Sequence, residues 1–392
     1  MKRSPFLLLA VVLSILVTDC TNQNDQQVSD IIRSIKTVVA PDKRVAIFDI
    51  SAEGSGSTIV LTGETDQPEG LSVLEDSLKI RGIDFENEVL VLPDEELGKK
   101  TMGVARNSVV NIRSNPRHSA ELATQALLGM PLKVLKKEGS WYLIQTPEDY
   151  ISWIDAGGIQ LMTDAELEEW KQTEKIIYLN NFGFSYSDRS TDSQVISDLV
   201  MGNVLKMISE NGNYYEVEYP DGRNAFVRKN EAMLFNVWKT MTKPTQETLV
   251  TTSKQLMGIP YLWGGTSSKG VDCSGFTKTI YLMNGKIIPR DASQQVFAGE
   301  FVDDSKDFES LQPGDLIFFG TPATADRSRR VVHVGMWIGN NEFIHSSGRV
   351  RISSVDPNAP NFDEFNVNRY LESRRYIEKN EGNVIEVSDM FN

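Results

Sequence analysis

The chain carries two cysteines, Cys20 and Cys273, and three histidines, His118, His333 and His345. Any thiol or imidazole chemistry must be built from that short list. Cys273 lies in Gly270-Val-Asp-Cys-Ser-Gly-Phe, after a glycine-rich loop and at the expected start of a helix. Helix N-terminal N–H groups and the positive end of the macrodipole favour a thiolate, the nucleophilic form. His333 sits in His333-Val-Gly-Met-Trp-Ile-Gly and His345 closes Glu342-Phe-Ile-His-Ser-Ser, two strand patterns joined by a short Gly339-Asn340-Asn341 turn. In such a hairpin two imidazoles can touch, one orienting the other, which is the logic of a nucleophile, a base and an orienting third group. The competing reading is structural, because a lone buried cysteine usually behaves as a small hydrophobe. The position of Cys273 and two of the three histidines in one region, helix first and hairpin after, favours the nucleophile. His118, in a Ser/Asn/Pro/Arg loop, reads as a surface residue. Two cysteines cannot make a disulfide framework, and with three histidines a Cys-rich zinc site is excluded.

These residues need elements to hold them. At 392 residues the chain is too long for one compact core and calls for two or three domains. Hydrophobic residues make up 40% and charged residues 24%, so neither wholesale disorder nor a multi-span membrane protein fits. Forty basic residues against 54 acidic ones give a net charge of -14, which argues against nucleic acid as a partner. Residues 1–20 read as a signal peptide, with Lys2 and Arg3 ahead of an apolar run from Phe6 to Val17, and imply export to the periplasm or cell envelope. Cys20 stands where a bacterial lipoprotein carries its lipidated cysteine, although Val17-Thr18-Asp19 lacks the usual small residue before it. A lipidated Cys20 would anchor the chain to a membrane.

From 25 to 97 the pattern predicts a small α+β unit. Val28, Ile31, Ile32 and Ile35 fall at helical spacing, Val45-Ala-Ile-Phe-Asp-Ile and Thr58-Ile-Val-Leu read as strands, and Leu71, Leu74 and Leu78 mark a second helix. The Glu53-Gly-Ser-Gly-Ser57 turn has no lysine and is a hairpin connection rather than a phosphate loop. An internal repeat follows. Gly129, Gly139, Trp141-Tyr142, Pro147 and Trp153-Ile154 recur at one constant offset as Gly202, Gly212, Tyr214-Tyr215, Pro220 and Phe226-Val227. Each copy predicts a small barrel of short strands. The copies, at 101–162 and 174–236, resemble bacterial SH3 domains, with an acidic helix from Asp164 to Lys175 between them. The last region, 245–378, places helices before strands and is itself α+β. Its polar stretch from Thr321 to Arg330 is either a lid or a plain loop.

In this region Tyr261-Leu-Trp-Gly-Gly, Asp272-Cys-Ser-Gly-Phe, Pro289-Arg-Asp-Ala-Ser-Gln-Gln, Leu311-Gln-Pro-Gly-Asp-Leu-Ile-Phe-Phe, His333-Val-Gly-Met-Trp-Ile-Gly and Phe343-Ile-His-Ser-Ser occur in sequence. They resemble the successive motifs of NlpC-type cell-wall cysteine peptidases. The resemblance implies a papain-like core, no cofactor and no metal, and peptidoglycan-derived peptides as the partner. It implies Cys273 as nucleophile, His333 as general base and later acid, His345 as orienting residue, and Tyr261 beside the oxyanion with the Cys273 backbone N–H.

With two upstream barrels, the arrangement is similar to γ-D-glutamyl-L-diamino acid endopeptidases of the dipeptidyl-peptidase VI type. In that subgroup the first barrel closes one end of the cleft, so that only a free N-terminal L-Ala fits. The resemblance implies substrate-binding roles for Glu121, Tyr150, Asp272 and Ser274. Taken alone, Glu121 is an ordinary solvated carboxylate and Tyr150 an ordinary barrel aromatic. The second barrel has Arg223 where the first has Tyr150. Arg290 reads as a structural ion-pair residue or as a contact to a substrate carboxylate. The expected activity is release of L-Ala-γ-D-Glu from short stem peptides, cutting before L-Lys or meso-diaminopimelate. An endopeptidase acting on intact wall and a silent wall-binding protein are the alternatives.

Overall fold

The computed structural model describes residues 25–55, 58–377 and 382–391. The expected signal peptide over 1–20 and Cys20 lie outside the described residues. The chain forms two compact units, one of residues up to Gly98 with Leu135–Lys137, the other of Lys99–Val134 and Glu138 onward.

In the first unit a helix over 25–39 precedes an antiparallel pair, Phe48–Ser55 and Thr58–Thr65. Pro68–Ile80 then forms a helix, begun by a proline whose missing N–H costs nothing in the first turn. Its Leu71, Leu74 and Leu78 are buried against Val28, Ile32, Phe48 and Leu61, so the helical spacing marks the core-facing stripe. The helix is a crossover to Phe85–Val91, which pairs in parallel with Thr58–Thr65. The sequence pattern does not predict that third strand, because Phe-Glu-Asn-Glu-Val-Leu-Val is mostly solvent-facing and lacks a clean alternation.

In the second unit the internal repeat is structural as well as sequential. The first seven-stranded sheet runs, in spatial order, Ile159–Met162, Met102–Ala105, Pro131–Glu138, Trp141–Gln145, Ile151–Asp155, Val109–Arg113, Leu122–Leu127. The second runs Ala232–Leu234, Lys175–Tyr178, Val204–Asn211, Tyr214–Glu218, Asn224–Arg228, Gly183–Tyr186, Val195–Leu199. Strand for strand the order is the same. The link between them is the helix Asp164–Gln172, held at its start by a capping box of Thr163 and Glu166.

The region that follows places Gln246–Gln255 and Cys273–Leu282 as helices ahead of a six-stranded sheet. The sheet order is Glu300–Asp303, Tyr370–Arg375, Leu316–Thr321, Arg330–Gly339, Glu342–Ser347, Arg349–Ser354, with antiparallel neighbours throughout. Phe276 and Ile280 of the second helix are wholly buried against Phe318, Val334, Met336 and Ile344. Burial of side chains this large contributes about 1.5–3 kcal/mol each and fixes the helix across the sheet. Phe319, Trp337, Phe343 and Tyr370 form a separate cluster with Phe308. The polar stretch after Thr321 is exposed and turns back on itself through a Thr324–Arg327 bridge into the strand that carries His333.

Candidate active site

Asp272 sets the position of the thiol. It is the N-cap of the helix Cys273–Leu282, and its Oδ1 accepts the Gly275 N–H at 2.7 Å. Cys273 is thereby the first helical residue. Gly275 must be glycine, because a Cβ there would stand 1.9 Å from the Gly265 carbonyl oxygen. The backbone N–H groups of Ser274 and of Val334, the residue after His333, lie close enough to the thiol to favour its ionised form. Burial, followed by the Asp272 charge, nonetheless pushes the Cys273 thiol up to about 12.

His333 and His345 lie on antiparallel neighbours, and His333 Nε2 is 2.8 Å from His345 Nδ1. His345 Nε2 is in turn 3.0 Å from Ser353 Oγ on the next strand and 3.7 Å from Asp363 Oδ2. His333 thus has its Nε2 engaged by its neighbour. Both imidazoles are held far below their usual range, at about 3. Burial is the main cause, with His345 and then Arg369 adding to it for His333, and Arg351 and then Arg369 for His345. Burial thus favours the neutral forms of the thiol and of both imidazoles.

Tyr261 is half-buried in the loop before the nucleophile, and burial and then the Cys273 and Asp272 charges raise its phenol. Among the described residues no intramolecular hydrogen bond engages its hydroxyl.

The first barrel reaches the same place. Glu121 accepts a hydrogen bond from Trp263 Nε1 at 2.5 Å, and the Tyr150 hydroxyl donates to Asp291 Oδ2 at 3.4 Å. Gln125 Oε1 accepts the Thr266 N–H at 2.9 Å and the Ser267 hydroxyl at 3.0 Å. Gly264 allows the approach, since a Cβ there would lie 2.2 Å from the Leu122 carbonyl oxygen. Glu148 forms a fully buried ion pair with Lys278 of the nucleophile helix at 2.9 Å.

Asp272 and Ser274 differ in kind from Glu121 and Tyr150. Arg290, 1% exposed, donates Nη2 to Asp272 Oδ2 at 2.6 Å and Nη1 to Asp272 Oδ1 at 3.2 Å and Ser274 Oγ at 3.0 Å. Asp272 also accepts from Gly264 N–H at 3.0 Å and the Ser274 hydroxyl at 3.3 Å. Its charge is compensated and its lone pairs are spent, so it shapes the site more than it offers a free anion. Arg290 is the structural member of the two readings open to it, and its Nε donates to Thr124 of the first barrel at 3.0 Å.

Arg223 of the second barrel is turned elsewhere, pairing with Asp221 and donating to the Arg106 carbonyl. His118 is exposed and meets the Trp141 ring edge to face. Sequence reasoning misses Ser353, Asp363, Trp263, Gln125 and Asp291. Nothing local marks Ser353 or Asp363. Asp291 is visible only as the neighbour of Arg290.

Two family models match the chain: the NlpC/P60 family over residues 258–369 and the bacterial dipeptidyl-peptidase SH3 domain over residues 112–159. A protein of Bacillus cereus named γ-D-glutamyl-L-lysine dipeptidyl-peptidase is 34% identical over 66% of this chain and 76% of its own length. A Bacillus subtilis protein of the same name is 32% identical over 57% of this chain and 72% of its own. The crystal structure of an NlpC/P60 family protein from Bacillus cereus superposes with a TM-score of 0.60 at 27% identity, covering 70% of this chain and 99% of that one. With a thiol at a helix start and a histidine pair on the facing strands, the chain belongs to the NlpC/P60 family and is a cysteine peptidase.

Proposed function

We propose that the enzyme cleaves the γ-D-glutamyl bond to a diamino acid in peptidoglycan stem peptides that begin with a free L-Ala, releasing L-Ala-γ-D-Glu in cell-wall peptide recycling. The observation that carries this reading is the delivery of Glu121 and Tyr150 from the first barrel to Trp263 and Asp291, whose chain neighbours Gly264 and Arg290 both bond Asp272, the residue before the nucleophile. Anionic and hydroxyl groups there suit an ammonium, and charge-assisted hydrogen bonds are the strong kind. A site built around that ammonium rejects a peptide whose amine is blocked, because its polar groups are then left unpaired. The names of the two Bacillus relatives support the bond chosen.

In this mechanism the Cys273 thiol passes its proton to His333 Nδ1 as sulfur attacks the γ-carbonyl. The hydrogen bond to His345 and the nearby Asp363 spread the imidazolium charge. Tyr261 and the Cys273 N–H hold the oxyanion. His333 then protonates the leaving amine, the diamino acid departs, and the same imidazole activates water against the thioester. The Lys2-Arg3 start and apolar run support export, with Cys20 as the candidate lipid anchor, and cell fractionation of tagged protein tests both.

Mass spectrometry after incubation with L-Ala-γ-D-Glu-L-Lys and its N-acetylated twin tests the specificity. Release of dipeptide from the free amine alone is expected. Equal cleavage of both would point to an endopeptidase without a gate.

A further inference from the structure

Two arginines near the histidine pair, Arg351 and Arg369, meet little negative charge in a chain whose net charge is -14. The contacts that join the first barrel to the nucleophile region use residues between Trp263 and Asp291. The histidine side of the cleft is built instead from the strands and from the short helix Glu364–Asn368. Arg351 lies directly opposite His345 in the strand register, and its side chain is 45% exposed. Arg369 follows the short helix, with its guanidinium 4.2 Å over the exposed Phe365 ring and two donors on the neutral Asn366 Oδ1 at 3.1 and 2.7 Å. Among the described residues Arg369 has no carboxylate at ion-pair distance, and Arg351 has Asp363 alone, at 3.7 Å. Asp363 is thus the one carboxylate at ion-pair distance of either guanidinium among the described residues. Both act electrostatically on the imidazole pair, and Arg369 also on Cys273.

The chemistry decides which part of a substrate lies there. His333 must reach the departing amine to protonate it, so the leaving residue occupies the histidine side of the cleft. We propose that Arg351 and Arg369 form a recognition site for a carboxylate on the leaving diamino acid. This deepens the proposed function and rests on it. A carboxylate matches a planar guanidinium geometrically, and partly exposed arginines next to the histidine pair hold it without a large desolvation cost. Two sources supply the group: the free α-carboxylate of a diamino acid that ends the peptide, and the side-chain carboxylate of meso-diaminopimelate.

The test measures kcat and KM on four peptides: L-Ala-γ-D-Glu-L-Lys, its C-terminal amide, the meso-diaminopimelate tripeptide, and that tripeptide amidated on the side-chain carboxylate alone. The wild-type enzyme is expected to lose roughly tenfold or more in kcat/KM, mainly through KM, when the recognised carboxylate is amidated. The amide that causes the loss identifies the source. Arg351→Gln and Arg369→Gln should erase that discrimination. Equal kinetics on all four peptides would overturn the carboxylate site and leave the proposed function intact, whereas no cleavage of any would overturn both. The wild-type comparison needs no variant to fold. Discrimination that survives in both glutamine variants would refute the assignment to these arginines.

Discussion

Arg290 clamps Asp272 with two hydrogen bonds, at 2.6 and 3.2 Å, and reaches Thr124 of the first barrel at 3.0 Å with its remaining nitrogen. One buried side chain therefore couples the residue that starts the nucleophile helix to the barrel that faces the cleft. The N-cap carboxylate cannot stay buried and ionised without this partner. The placement of Cys273 and the seating of the first barrel depend on the same guanidinium.

Replacing Arg290 should be costly. Arg290→Met leaves the Asp272 charge uncompensated, and removing one partner of a buried pair typically costs about 3–5 kcal/mol. Arg290→Lys should recover only part of this, because an ammonium cannot reproduce the fork that meets Asp272, Ser274 and Thr124 together. Denaturant unfolding of the three proteins checks the order, wild type above lysine above methionine.

Cys273→Ala should abolish peptide hydrolysis while leaving the circular dichroism spectrum unchanged. His345→Ala should lower kcat by roughly 10²–10⁴-fold, since His333 then loses the group that orients it. Ser353→Ala acts one contact further away and should reduce kcat by about tenfold with little change in KM, a split that a purely structural defect would not give, whereas Asp363→Asn, which also removes the carboxylate that Arg351 faces, should lower kcat and shift KM as well. Steady-state kinetics on one peptide resolves all four.

Stability should fall on the acid side. His333 and His345 are held at about 3, against an unfolded value near 6.5, so the unfolded chain binds more protons between these limits. Stability from these two groups is complete above about pH 6.5 and declines as pH drops, by up to about 1.4 kcal/mol per pH unit for each imidazole. Melting temperatures between pH 7 and pH 4 should show this slope, and His345→Gln should make it shallower. On the alkaline side the Cys273 thiol, raised to about 12, makes the fold lose stability as pH climbs above the ordinary thiol value of about 9. The Cys273→Ser protein should lack that limb.

Much of the fold and of the site is legible in the amino-acid sequence, and the limits have physical causes. The barrels declare themselves through Gly129, Trp141 and Trp153 recurring as Gly202, Tyr214 and Phe226, and strand order bears the repeat out. Cys273, His333 and His345 stand out because helix start and hairpin are local patterns. Ser353, Asp363 and Gln125 do not, because their relevance comes from strand pairing and barrel contact between residues distant in sequence. The family resemblance implies that Asp272 is an anion for the substrate. Its partner Arg290 lies well downstream, and only the fold reveals that its charge is already matched.

The gate at the first barrel is the central claim, and a selectivity ratio tests it most directly. Glu121→Gln and Tyr150→Phe, singly and together, should be assayed on L-Ala-γ-D-Glu-L-Lys and on its N-acetylated form. The wild-type enzyme should prefer the free amine by a large factor. Each variant should lose roughly tenfold or more on the free amine, with the double variant close to indifferent between the two peptides. A double variant that kept the wild-type preference would contradict the account, because the discrimination would then reside outside the barrel residues that meet Trp263 and Asp291.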